Sequence, residues 1–192
     1  MKTTKELTYN ALFIALIIIM AVIPQLGIIQ VGVLSITILH IPIIIAALVL
    51  GLKSSVLVSF VFGVSTLFVA MTRGASPFDL LFLNPLVSVL PRVLFGFIAG
   101  WLAQYFRKKK TNFTLGATIT AVLSTLAHSI MVLSAMAIAL SVQGIYDEAI
   151  FGPIGAFFVG LFTANAFFEV GVAIVIAVPV SAALVRFTRG KL

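Results

Sequence analysis

From Leu7 almost to the last residues of the chain, apolar runs of about 20 residues follow one another with only short polar breaks between them. A run of that length matches a helix crossing bilayer hydrocarbon, and no soluble core requires it to recur. The composition agrees: 62% of residues are hydrophobic and 9% are charged, too few polar groups to coat a water-soluble globule. The chain is therefore expected to be an all-α integral membrane protein, a single compact bundle of six transmembrane helices over residues 1–192 with no soluble catalytic domain attached. The expected helices run at about 7–28, 36–50, 54–71, 81–106, 113–142 and 155–186. Pro42 and the close turn Gly51-Leu52-Lys53 make the second one short or tilted.

A formal net charge of +7 would point to nucleic acid if the basic residues shared a face, but they sit at the ends of the apolar runs, where they anchor helices against anionic lipid. Lys2, Lys5, Lys53, Arg107, Lys108, Lys109, Lys110, Arg186, Arg189 and Lys191 fall on one side of the expected bundle, and Arg73 alone on the other. Both termini are thus expected in the cytoplasm, with Asp79, Asp147 and Glu148 in outer loops. Trp101 and Tyr105 near the inner end of the fourth helix suit the headgroup level. The first apolar run begins soon after two lysines, as a signal peptide would, but it lacks a small-x-small cleavage site and more spans follow at once, so it reads as a retained helix. Cysteine is absent, which excludes disulfides and thiolate chemistry.

Polar residues at membrane depth are the candidates for function. Arg92 lies well inside the fourth apolar run, where a charge costs a few kcal/mol or more unless it faces the protein interior, snorkels or finds a partner. Asn84, Ser88 and Arg92 recur at a spacing of four, followed by Gly96 and Gly100, so one helix face is polar at its outer end and small at its inner end. Two readings stand side by side: a guanidinium offered to an anionic or carbonyl-bearing ligand, and an ion pair with Glu169. Glu169 and Asn165 share a face of the last helix, and Glu169 could balance Arg92, accept a ligand hydrogen bond or carry a proton. His128, beside Ser124 and Thr125, and His40 are either pocket-lining or packing residues. Their separation, without cysteine or a carboxylate at ligand spacing, argues against a metal site.

Missing features narrow the class further. No phosphate loop is present, so ATP hydrolysis is not expected from this chain. No nucleophile with a positioned base appears, and no inverted repeat of the kind found in many secondary transporters is evident. A polar pocket in the outer half of a small bundle suggests solute capture. Ala11 and Ala15, spaced by four near the start of the first helix, would let another helix approach closely, within the bundle or from a partner.

Taken together, the lysine-bearing start leading into the run from Leu7 to Leu16, His40-Ile41-Pro42, and the stretch from Phe82 through Asn84-Pro85 to Pro91-Arg92 resemble the substrate-binding S component of an energy-coupling factor (ECF) vitamin transporter, most of all the pantothenate-type branch. The resemblance covers essentially the whole chain. It implies a high-affinity vitamin-binding subunit in a bacterial cytoplasmic membrane, not itself an enzyme, that docks through Ala11 and Ala15 on a transmembrane coupling (T) subunit. Two cytoplasmic ATPase subunits would carry ATP and magnesium, and this chain no cofactor. Asn84 and Arg92 would serve the pocket, with His40, His128, Asn165 and Glu169 contributing and residues 72–80 as the candidate gate. Pantothenate is the first substrate because Arg92 can meet a carboxylate. A neutral vitamin or precursor such as hydroxymethylpyrimidine or pyridoxine is the alternative within the class. A proton-coupled carrier using Glu169, or a purely structural membrane subunit, lies outside it.

Overall fold

In the computed structural model, residues 4–23, 26–31, 34–73, 77–143 and 153–188 are described. Helices dominate them: α1 (Thr4–Val22), α2 (His40–Val49), α3 (Leu52–Arg73), α4 (Pro77–Leu81), α5 (Pro85–Ser88), α6 (Leu90–Lys108), α7 (Phe113–Gln143) and α8 (Ile154–Thr188). Five stretches are long and apolar enough to cross a membrane: Thr4–Val22, Leu52–Arg73, Pro85–Lys108, Phe113–Val142 and Phe158–Phe187. The shorter apolar helix His40–Val49 accompanies them.

The connection after α1 differs from expectation. Ile28–Val31 (β1) and Leu34–Thr37 (β2) form an antiparallel hairpin, with Ile28 opposite Thr37 and Val31 opposite Leu34. Ile36, expected to open the second helix, is therefore in a strand, and α2 starts at His40. The local sequence is rich in β-branched residues and interrupted by Gly32, which is a strand-turn-strand pattern. With ten residues, α2 spans about 15 Å, roughly half the hydrocarbon thickness. All ten are buried, and a helix apolar all round belongs inside a protein. Accordingly α2 touches α1, α3, α6, α7 and α8, while the others neighbour one another in the order α1, α3, α6, α7, α8. Leu39, Ile43, Ile44, Phe62, Phe95 and Ala177 join the core around it.

Two backbone details set the packing. Gly51 takes a left-handed conformation (φ 94°), which ends α2 and lets α3 begin at the next residue. Along α6, Gly96 and Gly100 press against Ser55, Ser59 and Leu52 of α3: a Cβ on Gly100 would lie 2.6 Å from the Leu52 Cα. The Ser55 hydroxyl donates to the Gly96 carbonyl at 2.9 Å, and the Ser59 hydroxyl to that of Arg92. The small inner face of this helix is thus where α3 and α6 meet closely, with only small serine side chains and Leu52 against the glycines.

The single helix expected over residues 81–106 is broken into α4, α5 and α6. Asn84 precedes Pro85 and is held extended (φ −82°, ψ 119°), as the proline ring requires, and its side chain caps α5 by accepting the Leu86 N–H at 3.0 Å. A second proline, Pro91, opens α6.

Candidate functional site

The chemistry-bearing side chains gather at the start of α6. Pro91 has no N–H, so the carbonyl of Val87, four residues back, has no helical donor. Arg92 supplies one: its Nη1 donates to the Val87 oxygen at 2.7 Å. The arginine is only 4% exposed, and its Cζ lies 5.0 Å from the centre of the Phe82 ring and 5.4 Å from that of Phe62, within cation–π range. Its Nε is buried without a hydrogen-bond partner. A planar cation is thereby fixed in place by one carbonyl and two rings, with donor capacity left over.

His128 of α7 also meets the Phe62 ring. Its imidazole lies 6.0 Å from Phe62, 4.9 Å from Phe95 and 6.4 Å from His40, which it stacks upon, and its Nδ1 is buried and unpartnered. His40 stands at the first turn of α2, with Nδ1 2.6 Å from the Thr37 carbonyl. A carbonyl only accepts, so Nδ1 carries the hydrogen, and in the neutral ring the buried, unpartnered Nε2 presents a lone pair.

Glu169 of α8 holds the N–H of the same residue, Thr37. Its Oε1 accepts the Thr37 N–H and its Oε2 the Ser129 hydroxyl, each at 3.0 Å, so one carboxylate ties β2 to α7 and α8. Arg92 and Glu169 form no ion pair: the guanidinium goes to a main-chain carbonyl and the carboxylate to a peptide N–H and a hydroxyl. Asn165, one turn along α8, has a buried Oδ1 without a partner, as does the Thr125 hydroxyl on α7. Each such orphan costs about 1–3 kcal/mol if nothing meets it. Five of them, on His40, Arg92, Thr125, His128 and Asn165, lie around this one cluster of helices.

The arrangement gathers one fixed cation, two imidazoles, hydroxyl and amide groups, and aromatic rings. Comparison with known proteins gives it a context. The family model for the substrate-specific component of ECF transporters matches residues 5–181. The chain belongs to that family. It is also 28% identical over 193 residues to the pantothenate transporter PanT of Leuconostoc mesenteroides subsp. mesenteroides, covering 95% of this chain and 93% of that protein. As an S component it is a transport subunit and a multi-pass membrane protein, from a family whose members associate with T and ATPase subunits.

Of the residues singled out in the sequence, His40, Arg92, His128 and Glu169 are brought together, and Asn165 lies beside them on α8. Asn84 is not: it is exposed, and its side chain is committed to capping α5, because the break at Pro85 turns it off the Arg92 face. Ala11 and Ala15 are exposed on α1, in a face shared with Leu12, Leu16 and Ile19. Within the expected gate, residues 74–76 lie outside the described residues, as do Asp147 and Glu148. Sequence reasoning missed Thr37, Phe62, Phe82, Phe95 and Ser129. Only Ser129 carried a signal, as the neighbour of His128 in a polar patch of an otherwise apolar helix.

Proposed function

We propose that this S component captures pantothenate at the outer end of the bundle and delivers it in an ATP-driven uptake complex. The observation that carries the reading is the Arg92 guanidinium: buried, without a carboxylate partner among the described residues, and with its Nε unsatisfied. A ligand carboxylate would accept charge-assisted hydrogen bonds from the fork, which its fixed geometry makes directional. Pantothenate also carries an amide and two hydroxyls, complements for His40 Nε2, His128 Nδ1, the Thr125 hydroxyl and the Asn165 amide. The similarity to a pantothenate transporter supports the choice. Glu169, with both oxygens engaged, serves the frame of the site more than the ligand.

The basic residues Lys53, Arg107 to Lys110 and Arg186 stand at the opposite end from Arg92, which supports a cytoplasmic location for that end and a site facing the outside of a bacterial cytoplasmic membrane. The exposed face around Ala11 and Ala15 would dock on the T subunit, while two partner ATPases would bind ATP and magnesium and supply the energy.

Calorimetry on the purified chain tests the reading, with pantothenate and its alcohol analogue pantothenol as ligands for wild type, Arg92→Lys and Arg92→Ala. Wild type should bind pantothenate and discriminate against pantothenol. Arg92→Ala should lose about 2–5 kcal/mol of pantothenate affinity, and with it the discrimination. Folded wild type that fails to bind pantothenate removes it as the ligand. Unchanged affinity in Arg92→Ala assigns Arg92 to structure.

A further inference from the structure

The far end of the bundle holds a feature that vitamin capture does not use. A cavity of about 650 Å³ opens between the C-terminal ends of α2, α6 and α8 and the N-terminal end of α7. Phe106, Phe113 and Val185 give it an apolar wall, and Arg107, Lys110, Thr111 and Asn112 a polar one. Both cations are exposed. Arg107 spends one N–H on the Leu48 carbonyl at the end of α2, at 2.8 Å, which fixes the guanidinium at the cavity and leaves its remaining donors to other partners.

Lys110 is the more telling residue. α6 ends in a paired main-chain motif, in which the Thr111 N–H reaches the Phe106 carbonyl and the Lys110 N–H that of Arg107, both at 3.2 Å. The position between them must be left-handed, and glycine normally takes it. Here it is Lys110, at φ 53°. A lysine in that conformation is strained by about 1–2 kcal/mol relative to a right-handed one. The strain falls on a cation that lines the cavity.

Depth decides what such a cavity can hold. Trp101 and Tyr105, exposed and stacked at 5.9 Å on the same helix, mark the headgroup level less than two turns before Arg107. A cavity at that level with an apolar wall and two cations matches a molecule with an anionic head and a hydrocarbon tail. A soluble phosphate would use the cations and gain nothing from Phe106, Phe113 and Val185. We propose that this cavity binds an anionic membrane phospholipid, its phosphate between Arg107 and Lys110 and an acyl chain along the apolar wall.

The test is native mass spectrometry of the detergent-purified full chain with phosphatidylglycerol, phosphatidylcholine or inorganic phosphate. Wild type should retain phosphatidylglycerol in preference to phosphatidylcholine. Lys110→Gln should weaken that retention about five-fold, the effect of one cation near a membrane surface, and Lys108→Gln, with the same loss of charge outside the cavity, less than about two-fold. Lys110→Gly should lose as much lipid as Lys110→Gln and yet unfold at a higher temperature, because glycine relieves the left-handed strain; that result separates lipid loss from misfolding. Equal losses in Lys108→Gln and Lys110→Gln, equal retention of the two lipids, or displacement of the lipid by inorganic phosphate would each overturn the proposal.

Discussion

Glu169 offers the sharpest test of how the site is held together. Both of its oxygens accept, one from the Thr37 N–H and one from the Ser129 hydroxyl. Glutamine has the same shape but replaces one oxygen with a donor. The Thr37 N–H can only donate, so the remaining oxygen must stay with it. The new NH2 then meets Ser129, which can turn from donor to acceptor because its hydroxyl also lies 3.2 Å from the Thr125 carbonyl and can donate there instead. Glu169→Gln therefore keeps both contacts and loses only their charge assistance, about 1 kcal/mol. Glu169→Ala loses both and leaves the Thr37 N–H without its acceptor; at about 1.5 kcal/mol for each hydrogen bond to a charged group, the cost is about 3 kcal/mol.

In a chain of this size those costs correspond to about 2–4 °C and about 6–12 °C off the unfolding midpoint. Fluorescence-monitored thermal unfolding in detergent reads them, with Ser129→Ala made in each background. The Ser129 substitution should cost about 1.5 kcal/mol in wild type and almost nothing in Glu169→Ala, since residues sharing a hydrogen bond couple. Equal destabilisation by glutamine and alanine, or a Ser129 cost that persists without Glu169, would refute the latch. Pantothenate affinity should fall by less than about three-fold in Glu169→Gln, within the loss of charge assistance; a far larger fall, with stability intact, would move Glu169 from the frame to the ligand or to proton coupling.

Three further outcomes follow from the helix contacts. Gly96→Ala drives a Cβ into Ser59 and to 2.7 Å from the Ser55 carbonyl, so it should destabilise the α3–α6 contact by about 1–3 kcal/mol in the same assay, with partial rescue by Ser59→Gly. Asn84→Ala removes the α5 cap and should cost about 1 kcal/mol of stability while pantothenate affinity stays unchanged by calorimetry; a large affinity loss would return Asn84 to the pocket. Pro91→Ala restores an N–H that competes with Arg92 for the Val87 carbonyl, and should weaken pantothenate binding by loosening the guanidinium without unfolding the chain.

The long apolar helices and the depth of Arg92 and Glu169 were legible because hydrophobic runs and misplaced charges are local properties of a sequence. Asn84 shows the limit of that reading. A spacing of four puts it on the Arg92 face only if the helix is continuous, and Pro85 and Pro91 interrupt it. Each proline removes an N–H from the helical ladder, and that local chemistry outweighs the spacing. The hairpin at residues 28–37 was hidden differently: its β-branched residues are equally at home in a membrane helix, and only Gly32 and the short length distinguish them. Phe62 and Phe95 could not be singled out at all, because one phenylalanine among 17 becomes a site residue only through tertiary placement.

One consequence joins these parts. The position of Arg92 rests on the break before α6, and the rest of α6 is fastened to α3 through Gly96 and Gly100, which pack closely on Ser55, Ser59 and Leu52. At its other end α6 carries Arg107, which is tied to the last turn of α2, and α2 is enclosed by five helices. The guanidinium and the basic end therefore belong to one stiff unit. Glu169 and the hairpin meet at one residue, Thr37, whose N–H donates to Glu169 and whose carbonyl accepts from His40. Two hydrogen bonds of ordinary strength are far easier to exchange than a glycine-packed helix interface. Any motion that admits a ligand should consequently begin at Thr37 and leave the α3–α6 contact intact.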